Sequence, residues 1–141
     1  MPYQRPTIWG GEVSNKTVLL VDDEPLSRDI YRVLLENSGY TVLEAGDGGE
    51  AVLLARSELP DLIVMNLTMP ALTGMDATEL LKEDADTRHI PVLVLTGHVL
   101  PKIEALAWES GCDDYLLKPL SPRDLLEEIQ RRIGPPVGAG G

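Results

Sequence analysis

The apolar residues of this chain fall into short continuous blocks separated by stretches of helical spacing. VLLV at 18–21, LIVM at 62–65 and VLVL at 92–95 are runs rich in β-branched side chains. Apolar on both faces, such runs suit strands covered on both sides, as in a parallel sheet. TVLEA at 41–45 and DYLLK at 114–118 are weaker strand signals, one of them nearer a sheet edge. Each run is followed by a helical pattern. Leu26, Ile30, Val33 and Leu34 share one face of a first helix, and Leu125, Leu126, Ile129 and Ile133 share one face of the last; apolar stripes of this kind face a core. In that last helix Glu127–Arg131 and Glu128–Arg132 have the i,i+4 spacing of exposed ion pairs, at the end where cations are favoured. Five strands alternating with five helices over residues 16–133 predict an open α/β sandwich.

The flanking segments lack this regularity. Residues 1–15 (MPYQRPTIWGGEVSN) hold two prolines and a Gly-Gly pair and are read as an extension outside the core. Tyr3, Ile8 and Trp9 either dock back onto the domain or leave the segment loose. From Gly134 the tail GPPVGAGG stops the last helix. The expected organisation is therefore an extension (1–15), one domain (16–133) and a tail (134–141), without internal repeats.

Composition narrows the choice of function. The 141 residues suffice for one core without a covalent staple, and the single cysteine, Cys112, rules out an intramolecular disulfide. Twelve Lys and Arg face 23 Asp and Glu, a net charge of −11. Without a basic patch, that field repels phosphate backbones and anionic membrane surfaces, so neither nucleic acid nor membrane is an expected partner. The apolar runs are too short to span a bilayer and the first 16 residues lack a secretory signal, so a cytoplasmic location is expected.

Function in an open α/β sheet sits beyond the carboxyl ends of the strands. There the first strand ends in Asp22-Asp23, the third in Asn66, the fourth in Thr96 and the fifth in Lys118. In a flavodoxin-like order 2-1-3-4-5 these groups converge at the switch between strands one and three. Singly, each has an ordinary explanation: the acids cap a helix whose first turn holds Pro25, Asn66 makes local loop bonds, Thr96 ends a strand, and Lys118 is simply exposed. Together they suggest phosphoryl handling. Paired carboxylates suit Mg²⁺, a hard cation, while an ammonium and a hydroxyl opposite can bind phosphoryl oxygens.

These residues resemble the receiver domain of bacterial two-component response regulators, over residues 16–133. The motifs are VDDEP (21–25), DLIVMNLTMP (61–70), Gly74, VLVLTGH (92–98) and GCDDYLLKP (111–119). The resemblance implies a doubly wound five-stranded sheet in which an aspartate ending strand three accepts phosphate from a histidine kinase or phosphotransfer protein. It implies that Asp23 binds Mg²⁺ directly, that Asp22 acts through water, and that position 66 and the backbone carbonyl of Thr68 complete the metal site. Lys118 contacts the phosphoryl group, its bond to Pro119 being cis, and Thr96 and Tyr115 move together as the switch. That pair remodels the face of helix four, strand five and helix five, which meets a downstream protein; a second copy of the chain is a further expected partner. Thr68 and His98 sit where the family tunes reaction lifetime.

One position departs from the pattern. The phospho-acceptor position is Asn66, whose neutral amide cannot form an aspartyl phosphate. Losing a carboxylate weakens Mg²⁺ binding and leaves Lys118 without a counter-ion, a pair worth up to about 4 kcal/mol before solvation costs. Relief of acid repulsion offsets part of this. Asn66 is thus a lock on the unphosphorylated state, either natural in a pseudo-receiver that signals by binding alone or substituted into an otherwise competent regulator. The intact remainder of the site favours the second. The output surface is expected around Trp108, Tyr115 and helix five, unless Trp108 packs into the fold. A phosphohydrolase using Asp22 or Asp23 as nucleophile fits less well, because Asp-Asp-Glu-Pro lacks the acid-x-acid spacing of such enzymes. A flavin carrier would need a hydroxyl- and glycine-rich loop there.

Overall fold

The computed structural model describes residues 7–8, 11–12, 16–67, 72–97 and 100–136. The first half of the domain runs β1 (Thr17–Val21), α1 (Pro25–Asn37), β2 (Thr41–Ala45), α2 (Gly48–Glu58) and β3 (Leu62–Leu67). The second half runs α3 (Leu72–Glu83), β4 (Val92–Thr96), α4 (Pro101–Glu109), β5 (Asp114–Leu117) and α5 (Pro122–Ile133). The five strands form one parallel sheet in the order β2-β1-β3-β4-β5, the doubly wound arrangement expected from the sequence.

Every residue of β1, β3 and β4 is buried. Side-chain alternation divides them between two cores. Leu19, Val21, Ile63, Met65, Val92 and Val94 join Ala51, Ala55 and Leu81 from α2 and α3. Val18, Leu20, Leu62, Val64, Leu93 and Leu95 join Tyr31, Leu35, Leu125 and Ile129 from α1 and α5. The two weaker strand signals are both edge strands, and apart from the buried Ala45 their side chains are partly covered or exposed.

α5 buries Leu125 and Ile129, with Leu126 and Ile133 packed at the margin, as its spacing predicts. α1 does not follow its predicted face. Tyr31 and Leu35 are its buried residues and Leu34 is half-buried, while Leu26, Ile30 and Val33 are 80%, 59% and 47% exposed. The helix is rotated because Tyr31 is an amphipathic anchor: its ring enters the core and its hydroxyl donates to the Leu120 carbonyl at 3.0 Å. The predicted ion pairs of α5 also change partners. Arg131 meets Glu128 at 2.7 Å, and Arg132 donates to the Asp113 carbonyl at 3.0 Å and lies 3.6 Å from the Asp114 carboxylate. The acidic start of β5 draws Arg132 off its own helix.

Thr7–Ile8 pairs antiparallel with Gly11–Glu12, where no strand was expected. Backbone pairing across so short a loop needs no side-chain alternation. Tyr3 and Trp9 lie outside the described residues. The start of the tail is tied to the domain, since the Tyr40 hydroxyl donates to the Gly134 carbonyl at 2.7 Å and the Lys16 ammonium donates to the Ile133 carbonyl. Among the described residues no helix is long and apolar enough to cross a membrane. Cys112 is buried, and burial followed by the charges of Asp113 and Asp114 pushes its thiol up to about 11.

The rotation of α1 has a direct test in urea unfolding. Leu35→Ala should cost about 2–5 kcal/mol, as for a filled core site. Ile30→Ala should stay within about 0.5 kcal/mol, as for an exposed one. Equal losses would restore the face expected from spacing alone.

Candidate functional site

The site is built by strand register. β1 ends at Val21, opposite Met65, so Asp22 emerges beside Asn66, the next residue of β3. Asn66 is opposite Leu95 in β4, and Thr96 is opposite both Leu67 and Leu117. Lys118 leaves β5 with its backbone N–H on the Thr96 carbonyl at 2.8 Å, and its peptide bond to Pro119 is cis. Asp22, Asp23, Asn66, Thr96 and Lys118 therefore all stand at the carboxyl edge of the sheet. The acid pair and Asn66 flank the β1–β3 boundary, where the winding of the chain reverses.

Asp22 is the most constrained of these residues. It has no exposed surface, and all four of its polar atoms are engaged. Its N–H donates to the Ala45 carbonyl of β2 at 3.0 Å. Its own carbonyl accepts from Arg28 Nη1 at 2.8 Å. Oδ1 accepts from the Glu24 N–H at 2.9 Å, and Oδ2 accepts from Asn66 Nδ2 at 2.7 Å. The Oδ1 bond is a local turn of the kind aspartates make two residues on; Asp22 does not cap α1, whose N-cap is Glu24 without a side-chain cap. The field of Asp22 extends into the core: burial first, and then this charge, push the Tyr31 phenol up.

Asn66 is 5% exposed. Its amide has one acceptable orientation, because turning it over would set Oδ1 against the Asp22 carboxylate. Nδ2 is thereby committed to Asp22. Oδ1 is a buried oxygen with no hydrogen-bond partner among the described residues. A buried acceptor left unpaired costs about 1–3 kcal/mol, so such an atom is a place for a water molecule or an ion.

The other predicted residues surround this pair. Asp23 is exposed, Lys118 is half-buried and Thr96 is fully buried. No ion pair to Lys118 occurs among the described residues. Tyr115 pairs with Val94, which shares a sheet face with Thr96, and packs at the edge of the core with Ile103 and Leu106. Burial and then the charge of Glu104 push its phenol up. Trp108 is 46% exposed, with its indole N–H on Glu104 at 3.3 Å. Thr68 and His98 lie outside the described residues. Among the described residues no group of three His, Cys, Asp or Glu side chains is placed to hold a metal ion; the polar side chains at this edge include two carboxylates and one amide.

Two contributors were not visible from side-chain chemistry alone. Arg28 acts through a backbone carbonyl, which no motif marks; its i+6 position after Asp22, on the first turns of a helix, was the available signal. Gly74, quoted as part of a motif, has a packing reason: a Cβ there would fall on the buried Leu67 side chain and lie 3.3 Å from Met65. Its absence lets α3 press against the end of β3.

Residues 18–130 match the family model of the response regulator receiver domain. This chain belongs to the response regulator receiver domain family. Over 119 residues the receiver is 37% identical to the polar-differentiation response regulator DivK of Brucella anthropi, covering 84% of this chain and 97% of that protein. Among solved structures it is similar to the chemotaxis protein CheY4 of Vibrio cholerae, at 31% identity and a TM-score of 0.76, covering 83% and 98% of the two chains. It is equally similar to the receiver domain of the sensor histidine kinase PA1611 from Pseudomonas aeruginosa, at 31% identity and a TM-score of 0.77, covering 86% and 99%. That structure has a magnesium ion coordinated in its active-site cleft.

The Asp22–Asn66 bond of this receiver is measurable by a double-mutant cycle. Asp22→Ala, Asn66→Ala and the double variant should give a coupling of about 1–3 kcal/mol in urea unfolding, the value of a charge-assisted bond. Additive losses would mean that the two side chains stand side by side without holding one another.

Proposed function

We propose that this chain is a receiver module of a two-component phosphorelay, held in its unphosphorylated form by Asn66. The observation that carries this reading is the amide at the end of β3. It occupies the position of the acceptor, donates to Asp22, and keeps a buried oxygen turned to no protein donor among the described residues. An amide does not attack phosphorus, so the chain takes part by contact rather than by carrying phosphate.

The donor set fits a hard divalent cation, since it consists only of oxygens: the carboxylates of Asp22 and Asp23 and the unpaired Oδ1 of Asn66. The Thr68 carbonyl would be a further ligand. Bound there, Mg²⁺ would neutralise charge on an incoming phosphoryl group. With an amide in place of one carboxylate, the binding is weak. Lys118 supplies the ammonium for the phosphoryl oxygens, Thr96 the hydroxyl that follows them, and Tyr115 the ring that couples this movement to the α4–β5–α5 face.

The expected donor is a sensor histidine kinase or a phosphotransfer protein. The α1 stripe supports an approach from that side, because Leu26 lies three residues from Asp23 and is 80% exposed. Output passes through the α4–β5–α5 face, where Leu100, Trp108 and Leu117 are exposed apolar residues. That face would receive a downstream protein or a second copy of the chain.

Intact mass after incubation with Mg²⁺ and a small acyl phosphate tests the reading. Asn66→Asp should gain one phosphoryl group and the chain with Asn66 none. If neither gains it, the site has lost more than its nucleophile and signals by binding alone. A gain by the chain with Asn66 would mean that the acceptor lies elsewhere.

A further inference from the structure

Arg28 links the edge of the sheet to the acid pair. Its Nη1 donates to the Asp22 carbonyl at 2.8 Å, and its Nε donates to Glu44 Oε1 at 3.1 Å. Glu44 belongs to the edge strand β2, and its second oxygen lies 3.6 Å from Arg32 Nε. The Arg28 side chain is 22% exposed; its bond to the Asp22 carbonyl is part-buried and its bond to Glu44 is exposed. The carbonyl it grips belongs to the peptide plane that joins Asp22 to Asp23. Turning that plane swings the exposed Asp23 relative to the buried Asp22, which its other bonds hold still.

We propose that Arg28 is a positioning residue for the divalent-cation site: it fixes the Asp22–Asp23 peptide so that both carboxylates face one ion, and Glu44 holds the guanidinium in place. The inference rests on reading the acid pair as that site. It makes the edge strand part of the site, because any contact that draws Glu44 away releases Arg28 and loosens the acid pair. The planar guanidinium matters here, since it bonds two acceptors at once from Nε and Nη1, and a lysine nitrogen cannot span both.

The sign of the effect separates positioning from simple charge. Removing a cation from beside a cation site should tighten Mg²⁺ binding by Coulomb's law alone. Removing a group that aligns the ligands should weaken it, by about ten-fold for an outer partner of a metal ligand. Isothermal titration with Mg²⁺, alongside thermal melting, distinguishes the two on the intact chain. Arg28→Gln should raise the Mg²⁺ dissociation constant about ten-fold while the protein stays folded at the assay temperature. Arg28→Lys should recover part of that loss, and Glu44→Gln, which leaves the bond to Asp22 in place, should weaken binding by a smaller factor. Unchanged or tighter binding by Arg28→Gln overturns the proposal, whatever its melting temperature. Asp23→Asn is the control for the underlying reading: if it binds Mg²⁺ unchanged, the acid pair is not the site and the role of Arg28 falls with it.

Discussion

A carboxylate with no exposed surface survives in a fold only when its oxygens are hydrogen-bonded, and each oxygen of Asp22 accepts one bond. Its backbone is held by β2 and by Arg28 of α1, and its side chain by Glu24 of its own turn and Asn66 of β3. Four segments are thereby referred to one residue at the boundary where the sheet changes its winding. Burying such a group costs several kcal/mol before compensation. The partners are supplied by continuous apolar strands, which set Val21 opposite Met65 and so bring Asp22 to Asn66. The packing of the sheet and the chemistry of its edge are in this sense one arrangement.

The amide at position 66 alters that arrangement without dismantling it. Asn66 is close in shape to an aspartate but carries no charge and can donate, so it meets Asp22 with a hydrogen bond where a third carboxylate would meet it with repulsion. The remainder of the receiver site keeps its place: Thr96 and Lys118 remain joined through the β4–β5 backbone, and Tyr115 remains on the same sheet face as Thr96. On the proposed reading, an amide that satisfies its nearest neighbour and offers no nucleophile is suited to holding a switch in one state. The similarity to DivK, CheY4 and the PA1611 receiver extends over nearly the full length of those chains.

Much of this was legible in the sequence because parallel strands covered on both faces leave an unambiguous mark. VLLV, LIVM and VLVL have no polar side, and the residues that follow them are those of the candidate site. The rotation of α1 was not legible, because two stripes compete on that helix. Leu26, Ile30 and Val33 match the helical period, but Tyr31 and Leu35 match it too, and the phenol finds a carbonyl at Leu120 that only the folded chain provides. Arg28 escaped for a related reason. Its partners are a backbone oxygen and a residue 16 positions away, and neither leaves a trace in local spacing. Arg132 likewise abandons Glu128 for β5, a neighbour set by topology rather than by sequence distance.

On the proposed reading the Asn66 amide is committed to Asp22 and leaves its oxygen to a cation. The most direct measurement is the side-chain amide resonance of Asn66 by NMR, followed for hydrogen exchange and through a titration with Mg²⁺. Slow exchange of the Nδ2 protons, loss of that protection in Asp22→Ala, and a shift of the resonance as Mg²⁺ is added are the expected results. A fast-exchanging amide that ignores both Asp22 and Mg²⁺ would contradict it.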